Sequence, residues 1–284
     1  MITPERLLNE NYLASSSPFR IFHHTINEKI DTHWHEFFEI AFVLSGSGVH
    51  TLNGVPTRLE RGMLFLMTPA DFHEIIPDPG ETIYLYDLIF LESVINNELL
   101  ELIFAADTAY IHQFHGKEAD QLEEICKRIW DESVHADVGY RIIMQGALER
   151  LLIDLARACK RAASSAPLVN HPISNVLHPS VRRTLVYMHH HFREQLTLAK
   201  VANYAGISPT YFSECFHKQV GVPYQVYLQQ LRLKFAQSLL ASTSLTITEV
   251  CFAAGFNTVP HFEKIFKQAY QQTPSQYRKT QGNA

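Results

Sequence analysis

Leu196-Thr197-Leu198-Ala199-Lys200-Val201-Ala202 returns as Leu245-Thr246-Ile247-Thr248-Glu249-Val250-Cys251. The two stretches stay in step through Ala205-Gly206-Ile207-Ser208 and Ala254-Gly255-Phe256-Asn257. After one inserted residue they match again, Tyr211-Phe212 through Phe216 against His261-Phe262 through Phe266, and end at Tyr227 and Tyr277. Self-similarity with a period of about fifty residues marks an internal duplication, and each copy reads as helix, tight turn, helix. The local chemistry agrees. Thr197 and Thr246 are placed to cap a first helix, and Thr246 with Glu249 spells a capping box. Apolar residues follow at helical spacing: Leu198, Val201, Ala202 and Ala205, then Ile247, Val250, Cys251 and Ala254. Gly206 and Gly255 suit a left-handed stop. Ser208 then caps the second helix with Pro209 at its first position, and Asn257 is expected to cap its counterpart.

The inward stripe of the second helix is Phe212, Cys215, Phe216 and Val220 in one copy, and Phe262, Ile265, Phe266 and Tyr270 in the other. That leaves Thr210, Ser213, Glu214, His217 and Lys218 facing outward in the first, and Thr258, Val259, His261, Glu263, Lys264 and Lys267 in the second. Side chains near the start of such a helix reach base edges, while lysines and the helix N-terminus hold phosphates. Glu214 is suited to accept from a cytosine amino group. Between the copies, a helical pattern from Pro223 to Leu240 turns Leu228, Leu231, Phe235 and Leu239 inward. A rigid link of that kind would let both second helices enter successive major grooves roughly 34 Å apart. Charge points the same way. Residues 1–174 hold 13 Lys and Arg against 25 Asp and Glu, a net −12, whereas residues 175–284 hold 11 against 4, a net +7. A basic module for double-stranded DNA joined to an acidic one fits this asymmetry.

The arrangement resembles the AraC/XylS family of bacterial regulators. The residues that carry the resemblance are Gly206-Ile207-Ser208-Pro209, Tyr211-Phe212-Ser213, Phe216, Lys218 and Gly221 in the first copy, and Gly255-Phe256, Phe262 and Phe266-Lys267 in the second. Arg232-Leu233, Ala236 and Leu239-Leu240 carry it in the link. The resemblance covers roughly residues 180–280. Glu214 stands where the family often has a basic residue, and Gln271 where the second unit often has glycine. The resemblance implies a transcription regulator, more often an activator that contacts RNA polymerase, working as a homodimer and answering to a small effector such as a sugar.

The first 115 residues read differently. Short alternating stretches at Phe37–Leu44, Gly48–Leu52, Met63–Met67 and Thr82–Phe90, with an Asn53-Gly54 turn, predict a β-sandwich or barrel with no helix before about Gly116. Within it lies His33-x-His35-x(3)-Glu39-x(6)-Gly46, and later Gly62-x(6)-Pro69-x(3)-His73. On a single strand the even steps between His33, His35 and Glu39 would put all three on one face. With His73 they make a plausible ligand set for a divalent transition metal. The first motif resembles that of cupins; the second matches it in span but not in its internal Pro and Gly positions. Family regulators commonly line such a barrel with effector-binding residues and no metal, so no cofactor is expected, with a divalent metal as the one candidate. Arg20, His33, Trp34, His35, Glu39, Phe65 and His73, with Phe37, are the candidate pocket residues.

From Lys117 to Ala163 the pattern turns helical. Leu122, Ile125 and Ile129 form a stripe suited to packing on the barrel, and Leu148, Leu151, Leu152 and Leu155 form one that could also pair with a second subunit. Ser164 through Pro179 contains three prolines and little periodicity, which reads as a linker. The three histidines at 189–191 cannot share a helix face and are expected to be partly solvated. The expected class is therefore α+β: a cupin-like β-barrel over residues 1–115, a helical subdomain at 116–163 with a possible dimerisation role, a linker at 164–178, and an all-α double helix-turn-helix domain at 179–284.

The bulk composition adds exclusions. The 284 residues are 46% hydrophobic and 19% charged, without an apolar run of membrane length or the basic-then-apolar opening of a secretory leader. Four widely spaced cysteines suggest neither a disulfide framework nor a zinc ribbon, so a cytoplasmic protein is expected. Two rival readings remain at this stage. One is a cupin-type metal-dependent oxygenase or isomerase with a basic accessory domain, its metal on His33, His35, Glu39 and His73. The other is an architectural DNA-binding protein with no effector.

Overall fold

A computed structural model describes residues 5–13, 17–104, 110–164 and 179–281 of the chain, which form two compact units. All of the expected linker except Ser164 lies outside the described residues. The first unit contains ten strands among the described residues: β1 (Glu5–Leu7), β2 (Phe19–Ile26), β3 (Ile30–His35), β4 (Phe38–Ser45), β5 (Gly48–Leu52), β6 (Val55–Leu59), β7 (Met63–Met67), β8 (His73–Pro77), β9 (Ile83–Phe90) and β10 (Ile111–Gln113). They pair into two five-stranded sheets, ordered β1-β3-β8-β5-β6 and β10-β7-β4-β9-β2. The Asn53-Gly54 pair turns β5 into β6 with both residues at positive φ, as a two-residue hairpin requires.

Alternation along β4 and β9 explains how one sheet serves two cores. Phe38, Ile40 and Phe42, with Leu88 and Phe90, pack outward against helices α3 (Gly116–His135) and α4 (Tyr140–Ser164). Ala41, Val43 and Leu85 point inward and fill one end of the barrel with Met63, Phe65 and Met67. Two short helices, α1 (Asn9–Tyr12) and α2 (Asn97–Phe104), precede α3. The expectation of no helix before Gly116 therefore fails. The sequence of α2, Asn97-Glu98-Leu99-Leu100-Glu101-Leu102-Ile103-Phe104, is too short for its helical period to stand out from a strand.

The four leucines of α4 are buried inside their own unit: Leu148, Leu151 and Leu152 are 1% exposed and Leu155 is fully covered. This corrects the idea that their stripe could pair with a second subunit. The sheet and α3 already use it.

The second unit is helical throughout its described length: α5 (Pro179–His191), α6 (Leu198–Ala205), α7 (Pro209–Val220), α8 (Tyr224–Ser242), α9 (Ile247–Ala253), α10 (Val259–Tyr270) and α11 (Pro274–Gln281). The duplication is visible in its core. Phe212 and Phe216 of α7, and Phe262 and Phe266 of α10, are fully buried at equivalent places. Each contributes on the order of 1.5–3 kcal/mol by leaving water. The histidines at 189–191 are more engaged than expected: His189 bonds the Tyr227 hydroxyl at 2.8 Å, His190 is buried and His191 pairs with Glu194 at 2.7 Å.

Candidate functional sites

In the helical unit the caps form largely as the sequence dictates. Thr197 accepts from the Lys200 amide and Ser208 from that of Tyr211, with Pro209 opening α7. Thr246 and Glu249 close a full capping box. One expectation fails. Asn257 does not cap α10; the N-cap is Thr258, without a side-chain bond, and Pro260 lies in the first turn. Proline supplies no amide there, so the start of the helix has one fewer donor to satisfy.

Thr210, Glu214, His217 and Lys218 stand exposed on α7, with Ser213 half-buried. Around α10, Thr258, His261, Glu263, Lys264 and Lys267 are exposed and Val259 is half-buried. The two faces thus carry the side chains named from the sequence. Within the helical unit, between the two helix-turn-helix copies, runs a groove whose wall includes Arg232, Tyr224, Asn257 and His261. Arg232 reaches from α8 to the loop after α5, donating from Nε to the Phe192 carbonyl at 2.7 Å and from Nη2 to that of Glu194 at 2.8 Å.

In the barrel unit, a cavity of about 210 Å³ lies against the inner core, with Ala41, Leu85 and Ile75 of that core in its wall. Tyr12, Phe22, Phe37 and several aliphatic residues supply most of its wall, and His24, His33, Glu39, His73 and Asp87 its polar groups. His33 and His35 are on β3, but Glu39 is on β4 in the other sheet, because the chain turns at Glu36 and Phe37. The single strand read from the even spacing is therefore two strands. The residues still meet, through the fold and not through strand parity.

His73 begins β8, where it pairs with His33 across one edge and with Leu52 of β5 across the other. One imidazole nitrogen each from His35 and His73 and a carboxylate oxygen of Glu39 lie within 4.8 Å of one another, all three residues buried. His33 is outside this trio, its ring 4.2 Å from that of His73. Nδ1 of His35 donates to the Phe37 carbonyl at 2.6 Å, and Nε2 lies 3.4 Å from Glu39 Oε2. The remaining candidates scatter. Trp34 is buried but does not line the cavity; Phe65 is buried beneath the ring of His50; Arg20 is exposed, its guanidinium 4.6 Å above Phe22.

Three residues escaped the sequence reading: His24, His50 and Asp87. His50 is fully buried on β5, with Nε2 3.2 Å from His73 Nδ1. Its ring stacks on Phe65 at 4.4 Å. Asp87 is buried on β9 and bonds His24 at 3.2 Å. The available signal was a lone histidine or aspartate inside a predicted strand, His50 in Gly48–Leu52 and Asp87 in Thr82–Phe90. Burial raises the Glu39 carboxyl well above its usual range, and the charge of Asp87 adds to this. Burial lowers His73 well below the ordinary histidine value, with the neighbouring His33, His50 and His35 adding to the shift. His50 falls to about 4, from burial first and then the charge of His33. Burial thus favours the neutral imidazole at His50 and His73.

Comparison with known proteins places both units. Residues 17–152 match the profile of the AraC-like ligand binding domain, and residues 201–280 that of a helix-turn-helix domain. The HTH-type transcriptional activator RhaR of Enterobacter sp. (strain 638) is 25% identical over 87% of this chain and 86% of its own length. An uncharacterised HTH-type transcriptional regulator of Staphylococcus aureus is 26% identical over 84% of this chain, which spans only 31% of that longer protein. Among solved structures, the C-terminal domain of AraT, a response regulator from Geobacillus stearothermophilus, is 36% identical over 37% of this chain and 88% of that domain, with a TM-score of 0.36. No helix among the described residues is long and apolar enough to cross a membrane.

Proposed function

Because this chain belongs to the AraC family of transcription regulators, binding DNA through its helix-turn-helix domain and a small effector through its barrel, we propose that it is a sugar-responsive activator. The observation that carries the reading is the barrel cavity. At about 210 Å³ it is below the roughly 300–1,000 Å³ typical of drug-sized ligands, which suits a small metabolite. Aromatic walls at Tyr12, Phe22 and Phe37 offer faces for a sugar ring, and His24, His33, His73, Glu39 and Asp87 offer bonds to its hydroxyls. Occupancy would shift the balance between arrangements of the protein that differ in DNA affinity.

The reading extends to a homodimer in the cytoplasm that contacts RNA polymerase from the DNA-binding unit. With the α4 leucines spent, exposed Val134, Val138 and Ile142, at the end of α3 and the start of α4, are apolar residues left for a subunit contact. The effector test is thermal denaturation of the full chain against a panel of pentoses, hexoses and their acids. Stabilisation by one of them, abolished by Phe22→Ala and Asp87→Asn, is the expected result. A flat response to every sugar, with a clear response to another chemical class, overturns the sugar assignment. Promoter fusions with and without the hit then decide activation against repression.

A further inference from the structure

We propose that the barrel holds a divalent first-row transition metal on His35, Glu39 and His73, with His50 as the residue that positions His73. Two imidazoles and one carboxylate on a shared centre, with positions left open, form a donor set for metals of this class. Here the three donors come from β3, β4 and β8, in two different sheets, and lie within 4.8 Å of one another.

A second observation is independent of that proximity. His73 is 2% exposed, and its Nε2 is buried without a hydrogen-bond partner, while its Nδ1 faces His50 Nε2 at 3.2 Å. A buried polar atom left unsatisfied is costly unless something else occupies it. With the proton on Nδ1, His73 donates to His50 and turns the Nε2 lone pair toward the trio. His35 is prepared in the same sense, its Nδ1 donating to the Phe37 carbonyl and its Nε2 facing Glu39. The Phe37 carbonyl thus fixes the tautomer and orientation of His35, and His50 supplies His73 with an outer partner, as metal-bound histidines characteristically have. His50 is itself held by the Phe65 ring, which gives this partner a fixed place. Asp87 places a second carboxyl in the same cavity wall. Glu39 and His73 line the cavity, so an effector oxygen or water there would be placed to complete the shell.

The proposal shares the cavity of the effector reading, so the experiment lets the two fail separately. The full chain, purified without a histidine tag and stripped with chelator, is titrated with Co²⁺ and with Zn²⁺. Calorimetry gives stoichiometry, and the visible Co²⁺ spectrum reports the ligands. The expected result is one ion per chain, with affinity reduced at least 100-fold in Glu39→Gln and in His73→Ala. His50→Gln should weaken binding by about 10–100-fold while keeping the stoichiometry, as loss of an outer partner does. His135→Ala, on the exposed end of α3, should change nothing. Glu39→Gln is nearly isosteric, and circular dichroism checks that each variant is folded. A stripped chain that takes up no ion, or uptake that survives both Glu39→Gln and His73→Ala, overturns the site. Sugar-panel melting repeated in chelator tests the effector assignment without the metal.

Discussion

In the first helix-turn-helix unit both helices end on glycine, Gly206 at φ 72° after α6 and Gly221 at φ 84° after α7. A Cβ at either would meet nothing within 4 Å. In the second unit the equivalent positions are Gly255 at φ 82° and Gln271 at φ 59°. Gly255 is also pressed against another part of the chain, where a Cβ would lie 2.7 Å from both the Cα and the carbonyl oxygen of Arg193. Two copies of one sequence pattern are thus closed by different means. The first is a free-standing turn, and the second is wedged against the loop that Arg232 also grips from α8. Duplication preserved the helix pattern and its phenylalanine core, while the constraint joining the copies came to rest on the second turn.

The largest way to break that asymmetry is Gly255→Ala. It combines left-handed strain with a backbone collision, for about 3–5 kcal/mol in total. Gly206→Ala meets only the strain, about 1–2 kcal/mol. Chemical denaturation followed by a probe in the DNA-binding unit measures both, and equal losses would show that the packing of Gly255 on Arg193 is not a constraint in solution.

The reading faces differ as well. The second unit shows Lys264 and Lys267, where the first offers Lys218 beside Glu214. If each lysine neutralises one phosphate, the double variant Lys264→Ala/Lys267→Ala should reduce the salt slope of log K by about 2, and Lys218→Ala by about 1. Fluorescence anisotropy on promoter DNA over a salt series gives these slopes. Equal slopes for all variants would mean that neither face meets phosphate.

The junction between the copies also carries a charge device. Glu194 bonds His191 at 2.7 Å and Lys200 at 2.8 Å, and these contacts, His191 first, lower its carboxyl to about 2 from 4.5. A lowered carboxylate stabilises the fold above pH 4.5, and that contribution fades as pH falls toward 2. Glu194 is half exposed, so the effect is small, under about 1 kcal/mol after solvent screening. Glu194→Gln should lower the stability of the DNA-binding unit by under about 1 kcal/mol at pH 7, with the difference from the parent chain fading between pH 4.5 and 2, so that the acid limb flattens. An unaltered acid limb would place the ion pairs outside the stability of the junction.

How far the sequence was legible follows from the range of each interaction. The helical unit's caps, turns and buried aromatics depend on neighbours three or four residues away, so a one-dimensional pattern carries them. The Asn257 cap failed where two adjacent residues, Asn257 and Thr258, could each serve and proline blurred the first turn. In the barrel, His33, His35, Glu39 and His73 were visible as a spacing, but the reason they meet was not. His50 is 23 residues from His73 and joins it through strand pairing between β5 and β8. Asp87 comes beside Glu39 only because β9 lies against β4. Arg20 and Trp34 illustrate the converse, residues of suitable chemistry whose placement, unknowable from composition, keeps them off the cavity wall.

The smallest expected effect is also the one that separates the copies most cleanly. Gln271 ends α10 in the left-handed region, where a non-glycine residue costs roughly 1–2 kcal/mol, while its counterpart Gly221 carries no such cost. Its side chain recovers part of this by donating from Nε2 to the Gln268 carbonyl at 3.0 Å. Gln271→Gly removes the strain and that bond, and it adds glycine's extra freedom to the unfolded chain, which opposes the gain by about 0.4–1 kcal/mol. The balance is a stabilisation of a few tenths to about 1 kcal/mol, confined to the second unit. Gly221→Gln, the reverse exchange in the first unit, should destabilise by a similar amount, since it puts a side chain on a left-handed φ of 84°. Denaturant midpoints of the two variants test the pair together. Two changes of the same sign would show that the helix ends, despite their shared left-handed geometry, are not equivalent positions of the repeat.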